Sequence, residues 1–151
     1  MESKSLSFEG TVKTPYVEFN HHSGELMLRG RSFPENAASV YEPLLTWIAD
    51  YVKSPALATN FHLNLEYFNS SSLLWIAKII KMLSEIDQKD YLLYIHTYFD
   101  IDDFDYHDPE ELKDLICSML NNSGERKVSI VVKSHVTGGD GNSEKESTVF
   151  I

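Results

Sequence analysis

The sequence predicts a single α/β domain, a mixed sheet entered through an N-terminal hairpin with helices mainly on one face. Three observations carry this expectation. Phe61, Leu63, Leu65 and Tyr67 alternate with His62, Asn64 and Glu66, the two-residue period of a strand with one buried face. Leu73, Ile76, Ala77, Ile80 and Leu83 follow at helical spacings of three and four, opposite Lys78, Lys81, Glu85 and Gln88. Pooled over the strands, one sheet face collects Phe61, Leu63, Leu65, Leu93, Ile95, Ile130 and Val132, and the other His62, Asn64, Glu66, Tyr94, His96, Tyr98 and Lys133. A doubly wound parallel sheet is apolar on both faces, so this asymmetry leaves one face open.

From the N-terminus, residues 1–13 show weak periodicity and are expected to form a flexible arm. Val17 and Phe19, then Leu26 and Leu28, make two short alternating runs joined by Asn20-His21-His22-Ser23-Gly24, an antiparallel hairpin. Gly30 to Asn36 is a loop leading to the first helix, where Tyr41, Leu44, Leu45, Ile48 and Val52 share a face and Asn36 is the cap. Pro43 lacks an N–H and disfavours helix at Glu42, so this helix either starts near Tyr41 or is kinked there. Lys53 to Asn60 connects to the central strand and helix.

The next strand is Tyr91 to Phe99, and the last runs from Val128 to Ser134. Between them, Asp108 as cap, Pro109 in the first turn and Glu111 mark a helix start, with the helix reaching about Asn121. Residues 14–135 are expected to be the folded domain, and 136–151 a disordered polar tail.

A chain of 151 residues with 42% hydrophobic content can build its core without disulfides or a structural metal. Its formal charge of −10 argues against nucleic acid as a partner, since such binding rests on Lys and Arg neutralising phosphates. No stretch approaches the ~20 apolar residues needed to cross a bilayer, and Met1 to Gly10 lack a signal peptide's apolar run. The expectation is a cytoplasmic protein with protein partners and no membrane insertion. Cys117, the lone cysteine, lies on an apolar helical stripe and is read as packing. No cofactor or metal is expected. His21 and His22 are read as exposed turn residues without ligand spacing, and Asp100 to Asp108 as a solvated loop lacking an EF-hand's pattern.

Asn69-Ser70-Ser71-Ser72 occupies the corner between the central strand and helix. Short polar side chains suit that position, because their oxygens accept from unpaired N–H groups of the first turn. Spacing separates the hydroxyls: Ser72 lies under Ile76 on the core side, and Ser70 under Leu74, in line with Lys78 and Lys81. Capping, worth about 1 kcal/mol, accounts for one or two of these residues. It does not account for an outward Ser70 beside an outward Leu74 and a bordering Trp75, which together suggest a docking surface.

The run Glu66-Tyr67-Phe68-Asn69-Ser70-Ser71-Ser72, with Phe33-Pro34-Glu35-Asn36 and Thr14-Pro15 upstream, resembles the SiaC-type regulatory phosphoproteins. The likeness covers about Thr14 to Ser134. It implies a fold like that of anti-anti-sigma (STAS) domains and a non-catalytic role in cyclic-di-GMP signalling and biofilm control. The implied partners are a Ser/Thr protein kinase, a PP2C-type phosphatase and a diguanylate cyclase that one form of the protein binds and activates. In that family the phosphoacceptor is the hydroxyl residue directly after the Asn, which maps onto Ser70, with Ser71 as second choice. Asn69, Leu74, Trp75, Glu66, Phe33, Pro34, Glu35 and Asn36 are the expected partner-binding residues, while Tyr67 follows the buried alternation into the core.

Two other readings compete. Anti-anti-sigma domains carry Asp-Ser at this corner, close to Asn69-Ser70, and capture an anti-sigma kinase. A small hydrolase would use Ser70 as nucleophile with His62 or His96 as base, although no Gly-x-Ser-x-Gly elbow is present.

Overall fold

The computed structural model describes residues 5–100, 102, 113–118, 128–137 and 145–150. Strands β1 (Leu6–Phe8), β2 (Tyr16–Asn20) and β3 (Glu25–Ser32) precede helix α1 (Ala37–Tyr51). There follow β4 (Thr59–Phe68), α2 (Ser70–Ser84), β5 (Leu92–Asp100), a helical segment over residues 113–118, β6 (Ser129–Thr137) and β7 (Lys145–Phe150).

The seven strands form one sheet in the order β1-β2-β3-β4-β5-β6-β7. Pairing is antiparallel over β1-β2-β3, parallel over β3-β4-β5-β6 and antiparallel again at β6-β7. Because the order never reverses, crossovers of the one favoured hand bring α1 and α2 to the same side. There Tyr41, Leu44 and Ile48 of α1 and Ile76, Ile80 and Leu83 of α2 cover Phe19, Leu28, Phe61, Leu93 and Ile95 in a continuous core. Among the described residues no helix covers the other face, where His62, Asn64, Tyr94, His96 and Tyr98 are half-buried.

α1 is capped by Asn36, whose side-chain oxygen accepts from Ser39 N at 3.3 Å, and it runs through Pro43. Of the two alternatives, the start near Tyr41 is ruled out: the helix begins at Ala37 and contains Pro43. Pro43 forfeits one helical hydrogen bond, and burying Ala37, Tyr41, Leu44, Trp47, Ile48 and Tyr51 along one stripe outweighs that loss.

Both ends of the sheet lie in segments expected to lack regular structure. Leu6–Phe8, within the expected arm, pairs with Val17 to Phe19, and Leu6 packs against the core. A three-residue strand is too short to show a period. Lys145–Phe150, within the expected tail, pairs with β6, so Val128 to Ser134 is not the last strand. Backbone ladder bonds hold a strand whatever its polarity, and composition alone therefore missed this one. Asp103 to Leu112, with the expected Asp108 cap, residues 119–127 and 138–144, and Ile151 lie outside the described residues.

The hairpin turn differs at one histidine. His22 is exposed as expected, but His21 is 3% exposed, donates from Nε2 to Ser54 O at 2.6 Å and sets its edge against Tyr51 at 4.8 Å. Gly24 turns the chain at φ +73°, where an added Cβ would lie 2.2 Å from Ala58 O.

Register decides the remaining difference. Gly30 (φ +101°) pairs with Leu65 but Arg31 pairs with Tyr67, so β4 carries one extra residue, Glu66. A bulge inverts the alternation beyond it. Tyr67 consequently leaves the core face expected for it and meets Arg31 on the open side, while Phe68 packs against the core.

Candidate functional site

β4 stops at Phe68 because Asn69, in extended conformation, caps α2: its Oδ1 accepts from Ser72 N at 2.9 Å and its carbonyl from Leu73 N at 3.0 Å. Its own N–H donates to Ser32 O at 3.0 Å, tying the corner to the end of β3. The third serine is fixed in the same place. Ser72, fully buried, donates to Ser32 O at 2.9 Å and accepts from Ser32 Oγ at 2.8 Å, and the Tyr41 hydroxyl lies 2.6 Å from Ser32 Oγ. Burial pushes the Tyr41 hydroxyl up from its ordinary pKa, against a smaller lowering by the two serines. One strand and two helices therefore meet in a neutral hydroxyl chain.

Ser70 and Ser71 face solvent at the first two positions of α2. Leu74, one turn on from Ser70, is 68% exposed. Trp75 is half-buried, stacked 14° from parallel with Tyr41 at 6.2 Å and covered by Lys78 Nζ at 4.2 Å. No acidic residue occupies the first turn of α2, so the helix N-terminus meets no like charge there if an anion forms on Ser70.

The loop before α1 lies beside this corner. Phe33 N donates to Lys13 O at 2.8 Å, and the Phe33 ring meets Tyr67 edge-on at 5.6 Å. Arg31 spans Phe33 and Tyr67 at 5.5 and 5.4 Å and reaches the Glu66 carboxylate at 4.0 Å. Pro34 is half-buried, and Glu35 and Asn36 are exposed. Lys13 Nζ pairs with Glu35 at 3.0 Å and holds that carboxyl below its ordinary pKa. Lys13, next to Thr14-Pro15, thus ties its segment to Phe33 and Glu35, and Phe33 in turn meets Tyr67 of the Glu66 to Ser72 stretch. Arg31, Ser32 and Tyr41, which join them, were not singled out from sequence. Gly30 inside a strand was the available signal for the bulge that places Arg31.

Neither candidate base is hydrogen-bonded to Ser70. His62 lies between Tyr98 OH at 2.8 Å and Glu25 Oε2 at 3.1 Å, and His96 between His135 Nε2 at 3.1 Å and Asn60 Oδ1 at 2.9 Å. Cys117 is half-buried, its thiol pushed up first by burial and then by Asp114, which disfavours the nucleophilic thiolate. Among the described residues no group of three His, Cys, Asp or Glu is placed to hold a metal ion, and no helix is long and apolar enough to cross a membrane.

Fold and corner define an α/β domain with a hydroxyl presented at a helix start beside an exposed apolar side chain. The chain belongs to the SiaC family of regulatory phosphoproteins, whose family model matches residues 8–123. Its role is accordingly regulatory and non-catalytic. An uncharacterized protein of Pseudomonas aeruginosa strain UCBPP-PA14 is 28% identical over 83 residues, 55% of this chain and 66% of that relative, just under two thirds of its length. SiaC of Pseudomonas aeruginosa superposes with a TM-score of 0.64 at 23% identity, covering 76% of this chain and 89% of that one. The crystal structure of the diguanylate cyclase SiaD in complex with its activator SiaC, also from P. aeruginosa, gives 0.65 at 21% identity over 86% of this chain and 99% of the matched one. At these identities the likeness shows the shared fold.

Proposed function

We propose that this chain is a phosphorylation-switched adaptor whose acceptor is Ser70, and that its unmodified form binds and activates a diguanylate cyclase in the cytoplasm. A Ser/Thr kinase sets the switch and a PP2C-type phosphatase resets it. The observation that carries the reading is the division of the corner: Ser70 is exposed beside Leu74, whereas Ser72 is consumed by the buried hydroxyl chain. Family membership and the SiaC–SiaD complex support the choice of partner class.

The switch is electrostatic. A phosphate adds about −1.5 to −2 charges at a helix N-terminus, where the backbone tolerates an anion, so the fold survives modification. Docking does not, because a dianion beside Leu74 must be desolvated unless the partner supplies a cation. Engagement of His62 and His96 by other side chains weighs against the hydrolase reading.

Fragment mass spectrometry on protein from its native host, with and without a PP2C-type phosphatase, tests the acceptor. The expected result is a removable phosphate on Ser70. An unmodified Ser70 under all growth conditions, or equal cyclase affinity for the phosphorylated and unmodified protein, would count decisively against the proposal.

A further inference from the structure

The helix layer stops short of the sheet on the β1 side. α1 sets Trp47 on Phe19 of β2 with ring centroids 5.3 Å apart, while α2 and the 113–118 segment connect strands from β4 onward. Packed helices stand ~8–10 Å apart and paired strands ~4.8 Å, so one helix covers about two strands and a last helix on β2 leaves β1 uncovered. Phe8 is consequently 43% exposed, although Leu6 on the same face of β1 packs against the core.

Between β1 and α1 lies a groove of about 280 Å³, lined by the buried Pro15 and Val17 and by Phe8, Val40 and Pro43. Thr14-Pro15, which the Ser70 switch leaves unused, is part of that lining. Small-molecule sites run ~300–1,000 Å³, so this groove is undersized for a drug-sized ligand and suits one or two apolar side chains. Its polar groups are acceptors. Glu9 is exposed at the rim, and Glu42 is exposed beside Pro43. Pro43 has no N–H, so the Ser39 carbonyl on the same wall lacks its helical donor. Lys13, the cation next to Thr14, is already paired with Glu35 at 3.0 Å.

We propose that this groove is a second docking site, taking an apolar side chain flanked by a Lys or Arg on a surface segment of the diguanylate cyclase. The identity of that partner rests on the function proposed above; its docking chemistry is read from the groove. An apolar side chain seated there removes Phe8 and Val40 from water. A cation beside it meets Glu9 and the Ser39 carbonyl, which an acidic or wholly apolar segment leaves unsatisfied. A second copy of this chain carries the same formal charge of −10, and that repulsion disfavours it as the occupant.

The groove and the Ser70 corner lie on different sides of α1. Tyr41 turns toward α2, where Trp75 stacks on it at 6.2 Å, while Val40 and Pro43 turn toward the groove. One partner surface laid across the start of α1 reaches both. A phosphate on Ser70 leaves the groove unoccupied, so the groove sets a baseline affinity that modification then scales.

Calorimetry of the full chain against the cyclase, with wild type, Ser39→Phe and Glu9→Lys, tests this. Ser39 is exposed on the groove wall, and a Phe there fills the cavity. It gives up the Ser39 Oγ bond to Asn36 O but keeps the Ser39 N–H bond to the Asn36 cap. Ser39→Phe should lower affinity on the order of tenfold, and Glu9→Lys several-fold with a loss that shrinks as salt rises. The ratio of affinities between unmodified and Ser70-phosphorylated protein should be the same in Ser39→Phe as in wild type. If wild type binds no cyclase, the proposed function fails and the groove with it. If wild type binds and Ser39→Phe matches it, the groove alone fails, and a Glu9→Lys that binds as well as wild type overturns the basic occupant. Sedimentation showing a wild-type dimer that Ser39→Phe abolishes would give the groove to a second copy and equally overturn the proposal. Should Ser39→Phe not fold, hydrogen exchange of the wild-type complex decides: binding should protect the Glu9, Gly10 and Thr14 amides, and unchanged exchange there would refute the site.

Discussion

Ser32 and Ser72, forty positions apart in the chain, are joined twice: Ser72 Oγ donates to the Ser32 carbonyl at 2.9 Å and accepts from Ser32 Oγ at 2.8 Å. This double contact seats the first turn of α2 on the end of β3. It leaves Ser70, two positions earlier, on the outside. A corner with three serines thus presents two very different chemistries.

Replacement should separate them. Ser72→Ala strands buried hydrogen-bonding groups and should cost about 1–3 kcal/mol in urea unfolding. Ser70→Ala removes only a solvent-exposed hydroxyl and should stay within about 0.5 kcal/mol of wild type while abolishing phosphate incorporation.

The cap predicts a second contrast. Asn69→Ala should cost about 1 kcal/mol of thermal stability, because Ser72 N loses its acceptor. Asn69→Asp keeps an acceptor at the helix N-terminus and should be neutral or stabilising by a few tenths of a kcal/mol.

Leu74 tests the docking surface apart from the switch. With its side chain already in water, Leu74→Ala should leave the melting temperature within about 2 °C of wild type. Cyclase affinity, measured by calorimetry, should fall on the order of tenfold. Unchanged affinity would place the interface elsewhere.

Alkaline unfolding reports on Tyr41. Its pKa is raised above 10 by burial, so the stabilisation is present below pH 10 and is lost as rising pH ionises the unfolded chain first. Tyr41→Phe should be less stable at neutral pH by about 1 kcal/mol and should lose less stability above pH 10, where Tyr91, also raised by burial, still contributes.

Gly24→Ala should be among the costlier single-methyl changes, above about 2 kcal/mol by chemical denaturation. Both its φ of +73° and the 2.2 Å approach to Ala58 O oppose a Cβ.

Much of this protein was determined by local pattern. Alternation in β4 and β5, the helical stripe of α2, the Asn36 and Asn69 caps and the exposure of Ser70 and Leu74 follow from spacing and short-range hydrogen bonding, which adjacent residues alone can specify. Tertiary structure decided what depends on pairing between distant segments. One extra residue in β4 turned Tyr67 from the core to Arg31, a displacement invisible until β3 is laid beside it. His21, read as a turn residue, is buried because the end of α1 and the Ser54 carbonyl close over it. β1 and β7 exist because their neighbours offer unpaired backbone groups, and the rings of His62, His96 and His135 stack because three strands fall into parallel register. Sequence fixes which residues alternate, but the partner strand fixes where that alternation shifts, and only the folded sheet brings those partners together.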